Sequence, residues 1–123
     1  DRHSILVVED DEVLLNLVSE VLATAGFYVC AARNRNEINT EINHRFPDLM
    51  LLDVTLPDAD GFQILERIRG NPKIAKLPVI MMTGRSDVAD VARGLALSAD
   101  GYVTKPFKIS ALVQAVNTVL GIA

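Results

Sequence analysis

Short runs that are apolar at nearly every position alternate along this chain with longer stretches in which apolar residues recur every three or four positions. The short runs are Ile5-Leu6-Val7-Val8, Phe27-Tyr28-Val29-Cys30-Ala31, Leu49-Met50-Leu51-Leu52, Val79-Ile80-Met81-Met82 and Tyr102-Val103-Thr104. Each predicts a β-strand, and apolar residues at consecutive positions predict strands covered on both faces.

Between the runs, Val13, Leu14, Leu17, Val18, Val21, Leu22 and Ala25 form the stripe of an amphipathic helix, which Gly26 is placed to end. An Asn-rich stretch with Ile38, Ile42 and Phe46 predicts a second helix stopping before Pro47. Thr55 to Gly61 carries turn chemistry, a third helix runs from Phe62 through Arg69, and Gly70-Asn71-Pro72 closes it. Ser86 is placed to cap a fourth helix through Val88, Val91 and Leu95, and a fifth covers Ile109 to about Leu120. Strands alternating with helices predict an α/β fold around a five-stranded parallel sheet joined by right-handed crossovers. With the strands in the order 2-1-3-4-5, the connections change direction between strands 1 and 3, where such sheets bind ligands.

That order gathers the polar residues closing four of the runs at one edge: Glu9 and Asp10, Asp53, Thr83, and Lys105. Three converging carboxylates repel, two unit charges about 4 Å apart costing roughly 4 kcal/mol at an effective dielectric near 20. The set therefore needs cations. Lys105 supplies one positive charge, and an all-oxygen donor set favours a hard ion such as Mg²⁺, with Asp10 and Asp53 as direct ligands and Glu9 acting through water. Asp53, the carboxylate at the end of the central strand, can act as a nucleophile and form an aspartyl phosphate. The Thr83 hydroxyl and Lys105 would then neutralise the phosphoryl oxygens, and Gly84 has no side chain to block their approach.

Composition narrows the classes. A chain of 123 residues, half of them apolar, is expected to form a single domain over 1–123 with one core. No run approaches the roughly 18 apolar residues of a membrane span, and no signal peptide heads the chain. The lone Cys30 has no partner for an internal disulfide, and His3 and His44 lack zinc-site spacing. A cytoplasmic location is expected. A net charge of −4 gives no electrostatic footprint for direct nucleic-acid binding. The chain begins at Asp1 rather than Met and stops soon after its last helix, as a domain excised from a longer protein would.

Four motifs in order carry a resemblance: Val7-Val8-Glu9-Asp10-Asp11, Asp53 with Pro57 and Gly61, Thr83-Gly84, and Gly101-Tyr102-Val103-Thr104-Lys105-Pro106-Phe107. From Ser4 to Leu120 the chain resembles the receiver domain of two-component response regulators, of the chemotaxis-regulator type. The resemblance implies a flavodoxin-like (βα)5 three-layer sandwich and a phospho-acceptor Asp53, served by a histidine kinase or a histidine phosphotransfer protein. It further implies Mg²⁺, for which Mn²⁺ can substitute, held by Glu9, Asp10, Asp53 and the Thr55 backbone carbonyl. Thr83 and Lys105 would bind the phosphoryl group, Thr83 and Tyr102 would switch, Thr55 and Arg85 would tune the lifetime of the phosphorylated state, and Lys105-Pro106 would be a cis peptide. The domain would catalyse its own phosphorylation and dephosphorylation. Its output would pass through helix 4, strand 5 and helix 5 to an output domain, a target protein or a second copy in a homodimer.

Rival readings have specific costs. A haloacid-dehalogenase-type phosphatase would need an acid where Thr55 stands, and a flavin module would need a phosphate-cradling loop where Glu9 to Glu12 stand. Taken alone, Glu9 to Glu12 could be acidic residues favouring a helix N-terminus, and Asp58-Ala59-Asp60-Gly61 reads as a turn. A receiver-like interaction domain working without phosphorylation would usually have lost Asp53, Thr83 or Lys105, and none is lost. The last helix carries no charge from Ile109 to Ala123, and its outward Ser110, Ala111, Gln114, Asn117 and Thr118 suit contact with a second copy or an attached domain.

Overall fold

In the computed structural model, which describes residues 2–84, 92–93 and 98–122, the continuous apolar runs become strands because a central strand buries alternate residues in opposite layers. They are β1 (Ser4–Val8), β2 (Tyr28–Ala32), β3 (Leu49–Asp53), β4 (Val79–Thr83) and β5 (Gly101–Thr104). All pair in parallel in the expected order β2-β1-β3-β4-β5. The described helices are α1 (Glu12–Thr24), α2 (Arg35–His44), α3 (Gly61–Gly70) and α4 (Ile109–Leu120). Most of the helix expected from Ser86 through Val88, Val91 and Leu95 lies outside the described residues, Ala92 and Arg93 being helical. The element here named α4 is thus the fifth helix of the sequence reading.

Alternation along the strands divides the apolar side chains between two layers. Leu6, Val8, Met50, Leu52, Val79 and Met81 pack with Ile38 of α2 and Phe62, Leu65 and Ile68 of α3. Ile5, Val7, Leu49, Leu51, Ile80 and Met82 pack on the other side with Leu15, Val18 and Leu22 of α1 and Leu112 and Val116 of α4. Helices on both faces of a parallel sheet give the three-layer sandwich.

Helix α1 differs from its sequence reading in rotation. Its buried residues are Leu15, Val18 and Leu22, whereas Val13 and Leu17, both in the expected stripe, are 80% and 47% exposed. The apolar residues of this helix span more than one face, so periodicity alone allows adjacent stripes to compete; packing selects the one through Leu15, which is 1% exposed. The β2 boundary also shifts by one residue. The Phe27 N–H donates to the Leu22 carbonyl and closes α1, so the ladder begins where the Tyr28 N–H reaches the His3 carbonyl. Between them Gly26 takes φ +102°, a conformation open to glycine at little cost. β5 begins one residue earlier than its apolar run, at Gly101 opposite Ile80, and ends with that run at Thr104 opposite Thr83.

At the edge where β4 and β5 begin, Arg69 from the end of α3 ties three segments together. Its Nη1 donates to the Ala75 and Leu77 carbonyls at 3.1 and 2.6 Å, and its Nε and Nη2 donate to the Ser98 carbonyl at 3.1 and 2.8 Å. Nη2 also reaches Asp100 Oδ2 at 2.9 Å, an oxygen that accepts from the Val79 N–H as well. Ser98 is held with φ +62°, in the left-handed region that favours glycine.

Two measurements check this packing. In denaturant unfolding, Leu15→Ala should cost about 2–5 kcal/mol, whereas Val13→Ala should stay within about 0.5 kcal/mol; equal losses would contradict the rotation of α1. Ser98→Gly should gain up to about 1 kcal/mol by relieving the left-handed backbone, and a clear loss would show that the serine side chain compensates.

Candidate functional site

Strand register builds the site. Val8 is level with Leu52, Asp53 with Met82, and Thr83 with Thr104, so β1, β3, β4 and β5 end together. Glu9 continues β1 by donating its N–H to the Ala32 carbonyl at 3.0 Å, and Lys105 continues β5 by donating its N–H to the Thr83 carbonyl at 2.6 Å. The chain just past each strand is thereby fixed, and its side chains are aimed into one space. The N-terminus of α3 closes in from the side: the Gly61 N–H donates to the Val54 carbonyl at 2.7 Å. A Cβ on Gly61 would collide with the Asp53 carbonyl oxygen and the Val54 Cα. The glycine in the Asp53-to-Gly61 motif is thus required by close approach as well as by its turn.

Glu9, Asp53 and Thr83 are buried. The Lys105 ammonium lies 2.6 Å from Glu9 Oε1 and 3.2 Å from Asp53 Oδ1. Burial alone would pull the Lys105 pKa down, but the hydrogen bond to Glu9 and the charges of Asp53 and Glu9 outweigh it and leave the group above its ordinary value. Backbone donors add to this: one reaches the second oxygen of Glu9, and one reaches the same Asp53 oxygen that faces Lys105. Glu9 Oε2 accepts from the Asp11 N–H at 3.1 Å, and Asp53 Oδ1 accepts a long bond from the Thr55 N–H at 3.4 Å.

Asp10 is exposed, yet a carboxylate oxygen from each of Glu9, Asp10 and Asp53 lies within 4.8 Å of the others. Three carboxylates against one ammonium leave the cluster short of positive charge. The donors are all hard oxygens from two strand ends, the chemistry that suits a small divalent ion retaining part of its water shell. The residues present therefore fit Mg²⁺.

The acidic run after β1 divides its labour. Glu9 and Asp10 face the cluster, whereas Asp11 caps α1, its Oδ1 accepting from the Val13 and Leu14 N–H groups at 3.0 and 3.2 Å. The metal-like and helix-capping readings of this run thus describe different residues. In the β3–α3 loop the Leu56 N–H donates to the Ala59 carbonyl, making the expected turn, and Asp60 caps α3 by accepting from the Phe62 N–H at 2.9 Å.

A pocket of about 580 Å³ opens beside Thr83 and Gly84, bounded by Thr55, Asp60, Phe62 and Arg93. Across its mouth Arg93 Nη1 lies 3.3 Å from Asp60 Oδ2, and the guanidinium carbon sits 4.9 Å from the Phe62 ring centre. Sequence reading missed Arg93, Asp60 and Phe62 as neighbours of the site. They meet across distant segments, and none of them closes an apolar run.

A Cβ on Gly84 would meet nothing within 4 Å. Tyr102 is half-buried against the layer under α2 and α3. The Lys105-Pro106 peptide is cis. Arg85 lies outside the described residues. On α4, Ser110, Ala111, Gln114 and Thr118 are exposed and Asn117 is half-buried.

The response regulator receiver domain family matches residues 5–117. The phosphate regulon transcriptional regulatory protein PhoB of Rhizobium meliloti is 39% identical over 94% of this chain and 51% of its own length. The chain spans about half the length of the curated relatives it matches. Among solved structures, the chemotaxis protein CheY4 of Vibrio cholerae superposes with a TM-score of 0.90 at 25% identity, covering 97% of this chain and 99% of that one. The signal receiver domain of a signal transduction histidine kinase from Syntrophus aciditrophicus gives 0.87 at 33% identity, covering 97% and 90%. Profile, sequence relatives and fold agree, and the chain belongs to the receiver domain family of two-component response regulators.

Proposed function

We propose that the chain is a phospho-acceptor switch in which Asp53 takes a phosphoryl group from the phosphohistidine of a histidine kinase or a histidine phosphotransfer protein. The observation that carries this reading is the buried Asp53 carboxylate 3.2 Å from the Lys105 ammonium, in a cluster with Glu9 and Asp10. An Asp53 oxygen forms a bond to phosphorus while the bond to the donor imidazole nitrogen breaks, and the imidazole leaves with that electron pair. Glu9, Asp10, Asp53 and the Thr55 backbone carbonyl would hold Mg²⁺, with Mn²⁺ able to substitute. When bound, the ion neutralises charge on the phosphoryl oxygens.

Lys105 then follows the charge outward. It now divides its hydrogen bonding between Glu9 and Asp53, and acyl phosphate formation moves the negative charge from the Asp53 carboxylate onto the phosphoryl oxygens. The Thr83 hydroxyl joins it there. Movement of these two groups draws in the ends of β4 and β5, and Thr83 and Tyr102 shift together. The altered surface is that of the helix bearing Arg93, β5 and α4, which engages an output domain, a target protein or a second copy. Thr55 and Arg85 flank the phosphoryl group and tune its lifetime. The domain catalyses its own phosphorylation and dephosphorylation in the cytoplasm, and any nucleic-acid contact belongs to another part of the protein. No described helix is long and apolar enough to cross a membrane. A phosphorylation-independent interaction domain is the weaker reading because Asp53, Thr83 and Lys105 are all present.

Intact-mass spectrometry after incubation with acetyl phosphate should show one phosphoryl addition that requires Mg²⁺ and disappears in Asp53→Asn. No addition, together with no response to a fluoroberyllate analogue, would instead favour the phosphorylation-independent reading. Lys105→Met should destabilise the fold by about 1–3 kcal/mol because Glu9 loses its charged partner, and added Mg²⁺ should recover part of the loss. A raised folded-state pKa makes the Lys105 contribution fully present below its ordinary 10.5 and lost as pH climbs through the higher folded value. The unfolding midpoint of the parent should therefore fall more steeply in that alkaline window than that of Lys105→Met; parallel curves would exclude the linkage.

A further inference from the structure

Away from the phosphoryl site, α2 and α3 enclose a furrow of about 170 Å³. Its floor is apolar and branched, formed by the buried Ile38 of α2 and the buried Ile64 and Ile68 of α3. Arg35 of α2 and Arg67 of α3 line it. These arginines differ from most of those elsewhere in the chain. Arg33 pairs with Glu12 and Glu37, Arg69 with Asp100 and Arg93 with Asp60, while Arg45 stacks on the Tyr28 ring. Among the described residues, the Arg35 and Arg67 guanidinium groups have no carboxylate partner and no ring contact. Two guanidinium groups without a carboxylate partner among the described residues thus line one apolar floor, in a chain whose net charge is −4, while the nearby Asp58 carboxylate accepts from the Arg35 backbone N–H.

Size decides the class of occupant. Pockets for whole small molecules run to about 300–1,000 Å³, so this furrow is too small for an organic cofactor and suits one apolar side chain anchored between charged neighbours. We propose that the furrow docks an acidic peptide segment of a partner protein. One apolar side chain of that segment packs on Ile38, Ile64 and Ile68, and flanking carboxylates engage Arg35 and Arg67. Arginine is the suited residue, because its planar fork accepts a carboxylate in two parallel hydrogen bonds. A single well-packed anchor ringed by polar contacts is also the usual energetic plan of a small interface. The proposal is independent of phosphorylation, since Asp53, Thr83 and Lys105 do not line the furrow.

The test is a titration of the full ¹⁵N-labelled chain with three capped hexapeptides, Glu-Asp-Leu-Leu-Asp-Glu, Lys-Lys-Leu-Leu-Lys-Lys and Glu-Asp-Ser-Ser-Asp-Glu, and separately with decanoate. The acidic apolar peptide should shift the amides of Ile38, Ile68 and Asn71, and should bind about tenfold more weakly to Arg35→Glu and Arg67→Glu. Arg35→Gln and Arg67→Gln, which remove charge without reversing it, should fall between. Spectra of all four variants away from the furrow should match the parent, which separates lost docking from lost folding. Absence of shifts at the furrow, equal shifts with the basic or the serine peptide, or unchanged affinity in the variants would overturn the proposal. Shifts with decanoate and none with the acidic peptide would overturn it in favour of a small anionic amphiphile.

Discussion

Glu9 and Asp53 are two buried carboxylates that share a single ammonium, and much of the architecture serves that one shortage of positive charge. An isolated buried carboxylate costs several kcal/mol even after relaxation. It persists here because β1, β3 and β5 end within two residues of one another in the sheet register, which brings residues 9, 53 and 105 to one edge. A backbone donor from Asp11 relieves the second Glu9 oxygen, and one from Thr55 supports the Asp53 oxygen that already faces Lys105. The tight start of α3 at Gly61 then walls the site without adding a side chain to it. What stays uncompensated is the charge of Asp10 and part of that of Asp53, the deficit on which cation and phosphoryl chemistry can act.

The sheet was legible because its strands are buried on both faces and so read as unbroken apolar runs; β3 and β4 have the very bounds that Leu49 to Asp53 and Val79 to Thr83 suggest. The site was legible for a related reason, since its members are the polar residues that stop those runs. Side-chain facing was harder. Helix α1 offers adjacent apolar stripes, and only contact with the sheet distinguishes Leu15 from Leu17. Contacts between distant segments left no local trace at all. Asp60 just before α3 is an ordinary capping signal, but nothing in the residues around it announces its ion pair with Arg93, and the acidic run from Glu9 to Glu12 could be split between cluster and helix cap only once hydrogen bonds were known.

Proteins named for different roles resemble this domain: a transcriptional regulator of the phosphate regulon, a chemotaxis protein, and the receiver of a histidine kinase. A common fold can serve such different proteins only if individuality resides in the surface. Here that surface includes an uncharged outer face on α4 and a furrow whose arginines have no carboxylate partner among the described residues. The fold is thus a poor guide to what the domain addresses.

Arg69 has a mechanical consequence. All of its donors are committed to the Ala75, Leu77 and Ser98 carbonyls and to Asp100, so the loops entering β4 and β5 are riveted to α3. The opposite ends of the same two strands carry Thr83 and Lys105. A lever pinned at one end turns only at the other, and this arrangement gives the sheet a fulcrum: strain introduced beside Asp53 is kept from dissipating by sliding of whole strands and is directed into local bending at the edge where Asp53 sits.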